Sequence, residues 1–243
     1  EEEGANPKKV GVAIADIMCG MNGATAIMAA LHERTVSGRG QSSEVPLYDS
    51  QVAWLANQAM NLLVGGEVPG RLGTAHPNIV PYQAFGTADG YIMIAVGNDR
   101  QFAECMRRCG LPELAEDPRF RHNEDRLANR AELVALMSTV LARESSVYWT
   151  GELGGAGVPC SPINDIGEVF SSDYARENEL VRSVAHPYDA SLPTVANPVK
   201  FSSDAVSYRS APPLLGQHSR EVLADWLGYS GKTISELKKA GTI

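Results

Sequence analysis

The densest apolar stretch, residues 10–31, changes character along its length. Residues 10–15 (VGVAIA) form a short continuous run that predicts a buried strand ending at Asp16. Beyond it Ala24, Ile27, Met28, Ala30 and Leu31 predict a helix that stops at Gly38 or Gly40. The stretch is long enough to raise a bilayer span. Asp16, Asn22 and the glycines Gly11, Gly20 and Gly23 argue against one. Residues 43–48 alternate like a strand, with Pro46 placing it at an edge. Asp49 is expected to cap a helix reaching Leu63, with Val52, Leu55, Ala56, Ala59, Leu62 and Leu63 on its apolar face and Gly65-Gly66 as its stop.

The texture changes at residues 69–77, a glycine-bearing loop. Residues 82–87 and 91–96 around Asp89-Gly90 predict a β-hairpin. Helices follow over 99–109, near Glu113, over 130–144 with Leu133, Leu136, Met137, Val140 and Leu141 as its stripe, over 147–153, and from Ile166. Residues 117–120 and 123–126 read as a charged surface turn bracing two of these helices. Residues 158–163 read as an extended crossing, and 74–170 as one α+β unit. Extended pieces at 181–186, 199–201 and the Pro-rich 211–214 lead to two closing helices, 219–227 and 235–239. A two-part reading follows, in which 1–70 and 180–243 flank an inserted domain.

With 44% hydrophobic and 21% charged residues, the 243-residue chain can bury a core. Its formal charge of −8 argues against a general nucleic-acid binder, because phosphate affinity comes mostly from Lys and Arg. Cys19, Cys105, Cys109 and Cys160 include no CxxC pair, which suggests a reducing compartment. Cys105 and Cys109 could be half a metal site, but nothing of matching spacing completes it, and two half-buried thiols is the expectation. No signal-peptide pattern is visible, and the start EEEGANPKK, without Met, reads as cut from something longer.

Asp16 is the most informative residue, and two compatible readings stand beside each other. It is a helix N-cap, its oxygen satisfying an orphan N–H, or it is a carboxylate nucleophile in a partly desolvated pocket. Gly70, Arg71, Gly73 and His76 could form a ligand clamp or mobile lid, or a plain linker. The loop is not a phosphate-binding P-loop, since the GxxxxGK[ST] spacing is absent, and no GxSxG is present.

Several stretches, taken in order, resemble the class III CoA-transferase (CaiB/BaiF) family. They are GVAIAD (11–16) with Gly20, AALHER (29–34) with GRGQ (38–41), VPLYD (45–49), HPNIVPY (76–82), TADG (87–90), DPRF (117–120), GVPCSP (157–162) and PLLG (213–216). The resemblance implies an α/β fold of the CaiB/BaiF type in truncated form. That is the remainder of a Rossmann-like large domain (1–70, with the catalytic aspartate), an α+β small domain (71–178), and a C-terminal segment (179–243) returning to the large domain. It also implies that Asp16 is the nucleophile of an acyl-CoA:carboxylate CoA-transferase. The course runs through an aspartyl mixed anhydride and an aspartyl-CoA thioester, with Gly70, Arg71, Gly73 and His76 at the place of the family's lid. Coenzyme A thioester and a carboxylic acid acceptor are then substrates, with no permanently bound cofactor and no metal. The expected setting is a cytoplasmic, interlocked homodimer without nucleic acid or membrane, and the fragment alone is expected to be inactive. The alternatives are a 2-methylacyl-CoA racemase or epimerase on the same fold, or a noncatalytic oligomerisation subunit.

Overall fold

The computed structural model describes residues 8–203 and 206–243, which divide into two compact units, 1–163 and 164–243. In the first unit the helices α1 (Ile14–Ser37), α2 (Leu47–Ala53) and α3 (Ala56–Leu63) precede a hairpin of β1 (Tyr82–Gly86) and β2 (Tyr91–Ala95). Then come α4 (Asp99–Arg108), a 3₁₀ turn (Pro112–Ala115), α5 (Asn123–Ala128), α6 (Arg130–Leu141), α7 (Ser146–Gly155) and β3 (Cys160–Pro162). The sheet order is β1-β2-β3, antiparallel throughout, with Gly86 opposite Tyr91 and Ile94 opposite Cys160.

The hairpin forms where the sequence predicts it. Thr87 N–H donates to the Gly90 carbonyl (2.9 Å), and the Asp89 carboxylate accepts from the Thr87 hydroxyl (3.0 Å) and the Ser146 N–H (2.8 Å). Those bonds, the Ser146 N–H first, hold the Asp89 carboxyl below the usual carboxylate range. Alternation then puts Phe85, Ile92 and Ile94 on the inner face. Against it pack Phe102, Cys105 and Met106 of α4, Leu133, Met137 and Leu141 of α6, and Trp149 and Leu153 of α7. The i, i+4, i+8 spacing of the α6 residues is the buried stripe, while Leu136 stays exposed. Trp149 donates its indole N–H to the Leu141 carbonyl at 2.8 Å inside this core. Trp149→Phe leaves that carbonyl unpaired and is expected to lower stability by about 1–2 kcal/mol, read by urea denaturation.

Several expectations give way. Residues 10–13 form no strand, and α1 begins at Ile14, because an apolar run without a pairing partner folds by its helical period instead. Residues 43–46 are likewise irregular, and α2 starts at Leu47, behind Pro46, with Asp49 three residues in and not at its cap. The helix expected to reach Leu63 is broken between Ala53 and Ala56, where Ala56 takes φ 44°. A non-glycine residue in that left-handed region costs about 1–2 kcal/mol. The supposed surface turn at 123–126 is helix α5, and its Arg126 is 1% exposed.

No residue of α1 or α3 is buried. Among the described residues α1 alone is long and apolar enough, by length and mean hydropathy (1.4), to cross a membrane. It makes two side-chain bonds to the segments around α2: Cys19 Sγ donates to the Val45 carbonyl (3.1 Å), and Asn22 to the Ser50 hydroxyl (3.4 Å).

The second unit holds α8 (Ile166–Ser171), α9 (Asp173–Glu177), the two-stranded ribbon β4 (Val181–His186) and β5 (Asp189–Val195), α10 (Ser219–Glu221) running into a π-helical turn (Val222–Trp226), and α11 (Gly231–Lys239). The sequence reading missed β5, because Pro193 sits inside it; in a two-stranded ribbon an edge is always available. Residues 199–201 are not a strand. Ser230 caps α11 by accepting from the Thr233 N–H (3.1 Å), so the helix starts earlier than expected.

Candidate functional site

Asp16 stands at the third position of α1. The N-cap itself is Ala13, with no side-chain cap bond, so the capping reading of Asp16 is corrected: the cap lies three residues sooner, leaving the carboxylate in the first turn. There the partial positive charge of the helix N-terminus favours an anion. The side chain is exposed and borders two hollows. The first, about 480 Å³, runs along α1 past Cys19, Gly20, Gly23 and Ile27 and is bordered across from them by Val45 and Leu47. The second, about 520 Å³, lies toward Val10, Val12, Met18, Gln51, Trp54 and Leu55.

Residues 16, 20, 23 and 27 share one helix face. A Cβ placed on Gly20 or Gly23 would meet nothing within 4 Å, so those glycines leave the floor beside the carboxylate open. This arrangement can seat a flat electrophile against Asp16; the carboxylate is exposed, not partly desolvated as the nucleophile reading expected, because no residue of α1 is buried. Lys8 and Lys9 also border the second hollow, as do Gln51 and Trp54. Sequence reasoning named none of these four. The basic pair after an acidic start was the available signal for the lysines; nothing local marks Gln51 or Trp54.

The other candidates lie elsewhere in this unit. Gly70, with Leu72, Pro77, Asn78, Asn61 and Gln58, borders a third hollow of about 740 Å³ at the end of α3. It shares no lining residue with the two hollows at Asp16. Arg71 and Gly73 belong to the same irregular segment, and Gly73 needs its glycine, at φ 59°. His76 is anchored on all sides. Its N–H donates to the Tyr82 carbonyl (2.8 Å), its ring stacks on Tyr82 at 5.2 Å, and its Nδ1 accepts from the Asn78 N–H (3.1 Å).

The carbonyls of this turn are bonded by side chains of α5 and α6. Arg130 donates to those of His76 (2.9 Å) and Pro77 (3.0 Å), Asn123 to that of Asn78 (2.8 Å), and Arg126 to that of Val80 (2.7 Å). Of the four lid candidates, His76 is thus the one tied to the core through its turn.

Cys105 and Cys109 are both buried, not half-buried as expected. Their mutual hydrogen bond, and then burial, push the Cys105 thiol up, while the same bond lowers Cys109 against its own burial. Among the described residues no group of three or more His, Cys, Asp or Glu could hold a metal ion.

The family described as CoA-transferase family III matches residues 1–219. The chain is 40% identical over 241 residues to the succinyl-CoA:glutarate CoA-transferase of Mus musculus, covering 99% of this chain and 55% of that protein. It is 38% identical over 224 residues to the succinate–glutarate CoA-transferase of Agrobacterium fabrum strain C58, covering 92% and 56% respectively. Among solved structures, a CAIB/BAIF family protein from Brucella suis superposes with a TM-score of 0.72 at 38% identity, over 93% of this chain and 58% of that one. The chain therefore spans about half the length of the curated relatives it matches.

Proposed function

Since the chain belongs to CoA-transferase family III, with a CaiB/BaiF fold over part of its relatives' length, we propose that the protein carrying it transfers coenzyme A between carboxylic acids, with Asp16 as nucleophile. The observation that supports this is a carboxylate in the first turn of α1, set between two apolar-walled hollows over an open glycine floor.

The Asp16 carboxylate attacks the thioester carbonyl of an acyl-CoA. The C–S bond breaks, a mixed anhydride forms, and CoA leaves as thiolate. The thiolate returns to the aspartyl carbonyl, giving an aspartyl-CoA thioester and freeing the donor acid. An acceptor carboxylate then attacks the thioester, which reforms an anhydride and the thiolate. Attack of that thiolate on the acceptor's acyl carbonyl yields the new acyl-CoA and restores Asp16. Holding the thiolate nearby makes its return effectively unimolecular. Water would hydrolyse the anhydride, so the walls around Asp16 matter as much as the nucleophile. Gly70, Arg71, Gly73 and His76 stand at the place of the lid, with His76 held by its turn.

The relatives named above support a dicarboxylic pair, succinyl-CoA as donor and glutarate as acceptor. Coenzyme A is a substrate and not a resident cofactor. The exposed apolar faces of α1 and α3 support a homodimer in which further protein surface covers them, with 1–70 part of the large domain, 71–178 the small domain and 179–243 the returning segment. The four unpaired thiols fit a reducing compartment, the cytoplasm.

Trapping on the full-length protein tests the chemistry. Succinyl-CoA followed by hydroxylamine or borohydride is expected to modify the peptide spanning Asp16, and glutarate added first is expected to discharge that label. Turnover with label on a different residue, or with no label, would sink the assignment.

A further inference from the structure

We propose that Asn57, Asn61 and Asn78 are positioning residues that set the Trp54 wall of the Asp16 hollow through the bent joint at Ala56. The proposal rests on the reading of Asp16 as nucleophile.

The bend is the starting point. Nothing between residues 49 and 63 calls for a break, since no Gly or Pro lies there, yet Ala56 sits at φ 44°. A left-handed alanine persists only where its surroundings over-determine it. On the α3 side those surroundings are three carboxamides. Asn57 and Asn61, one helical turn apart, both donate to the Asn78 Oδ1, at 3.3 and 3.2 Å, and the Asn78 Nδ2 donates back to the Asn61 Oδ1 at 3.1 Å.

Asn78 is a firm anchor because its turn is tied to the core. The side chains that bond its carbonyls come from two helices, Asn123 and Arg126 from α5 and Arg130 from α6, and Arg126 is fully buried. On the α2 side, Ser50 is buried and accepts from Asn22 of α1, and Gln51, Trp54 and Leu55 border the Asp16 hollow. So α2 is fixed to the helix that carries the nucleophile, α3 is fixed to the turn, and one strained residue joins them.

The clasp therefore acts on chemistry through geometry. If it is released, Ala56 relaxes out of the left-handed region and the Trp54 wall moves away from Asp16. In the full-length protein, where further surface covers α1, a displaced wall admits water to the mixed anhydride: it adds to the acyl carbonyl, the C–O bond to the aspartyl group breaks, and donor acid and free Asp16 result, the CoA having left as thiolate. The lost function is transfer, and the gained one is acyl-CoA hydrolysis.

The test uses the full-length protein with succinyl-CoA and glutarate, measuring both products. Asn57→Ala and the double variant Asn57→Ala/Asn61→Ala are expected to raise the ratio of hydrolysis to transfer by about 5-fold or more, while borohydride still labels Asp16. Adding Ala56→Gly, which makes the left-handed backbone free of strain, is expected to bring the ratio back at least halfway. A general loss of stability does not shift that ratio. The proposal is overturned by a wild-type ratio in both variants, or by a raised ratio that Ala56→Gly leaves in place. Absence of Asp16 labelling in the wild type would instead remove the functional reading beneath it.

Discussion

Asp16→Asn is expected to lower CoA transfer by at least about 10³-fold in the full-length protein, with the fold unchanged. The substitution is nearly isosteric and the side chain is exposed, so packing is unaffected. Asp16 is not a helix cap in this structure, and stability should therefore shift by no more than the small loss of a first-turn charge, about 0.3–1 kcal/mol. A carboxamide has no anionic oxygen to form the anhydride, so initial-rate assays and thermal melts separate the two roles. Retained transfer in a well-folded Asp16→Asn protein would mean that the nucleophile lies elsewhere. A collapse of the melting temperature would mean that the carboxylate is structural after all.

Arg126→Met is expected to be the most destabilising single change in the first unit. The guanidinium is 1% exposed, lies 4.4 Å from the Phe102 ring centroid, and donates to the carbonyls of Val80, Phe120 and Arg121 as well as to Asp99 at 2.8 Å. Methionine fills part of the space but leaves three carbonyls without that donor. Leaving a buried carbonyl without its donor costs about 1–3 kcal/mol, and with three affected, thermal unfolding should drop by about 10 °C for a unit of this size. Arg126→Lys should recover little, because one ammonium cannot span the fork's acceptors. A drop of only a degree or two in both variants would show that Arg126 is not the keystone.

The pH dependence of that contact has a definite sign. Burial pushes the Asp99 carboxyl up, but hydrogen bonds from Arg126 and then His122 outweigh it, and the net shift is downward. A depressed carboxyl adds stability that is fully present above its unfolded value, near 3.9, and is lost as pH falls through the folded value. Asp99 is half exposed, so its share is small, and the loss belongs to acid below about pH 4 and not to neutral pH.

The hairpin was legible because its information is local: Asp89-Gly90 supplies the turn, and alternation supplies the inner face. Helix α5 was hidden by the opposite circumstance. Its buried residue is an arginine, and no periodicity rule assigns a charged residue to a core; only the carbonyls that converge on it, from residues 80, 120 and 121, explain its place. The break at Ala56 has no signal in residue type at all, because it is imposed by partners about twenty positions away, at Asn78. Strand β5 was lost to Pro193, which a two-stranded ribbon tolerates. As for the site, Asp16 could be singled out by its position after an apolar run, but its chemical role came from resemblance and not from spacing. The hollows beside it are built from α1, α2 and the segments before each, and no single stretch of sequence contains them.

Residues 164–243 carry only three buried apolar side chains among those described, Ala175, Val184 and Ile234. A segment with so thin an interior cannot be inherited as an exchangeable module, because a two-stranded ribbon and short helices are marginal by themselves. Recombination that splices it onto a foreign host should therefore fail even when the junction is seamless.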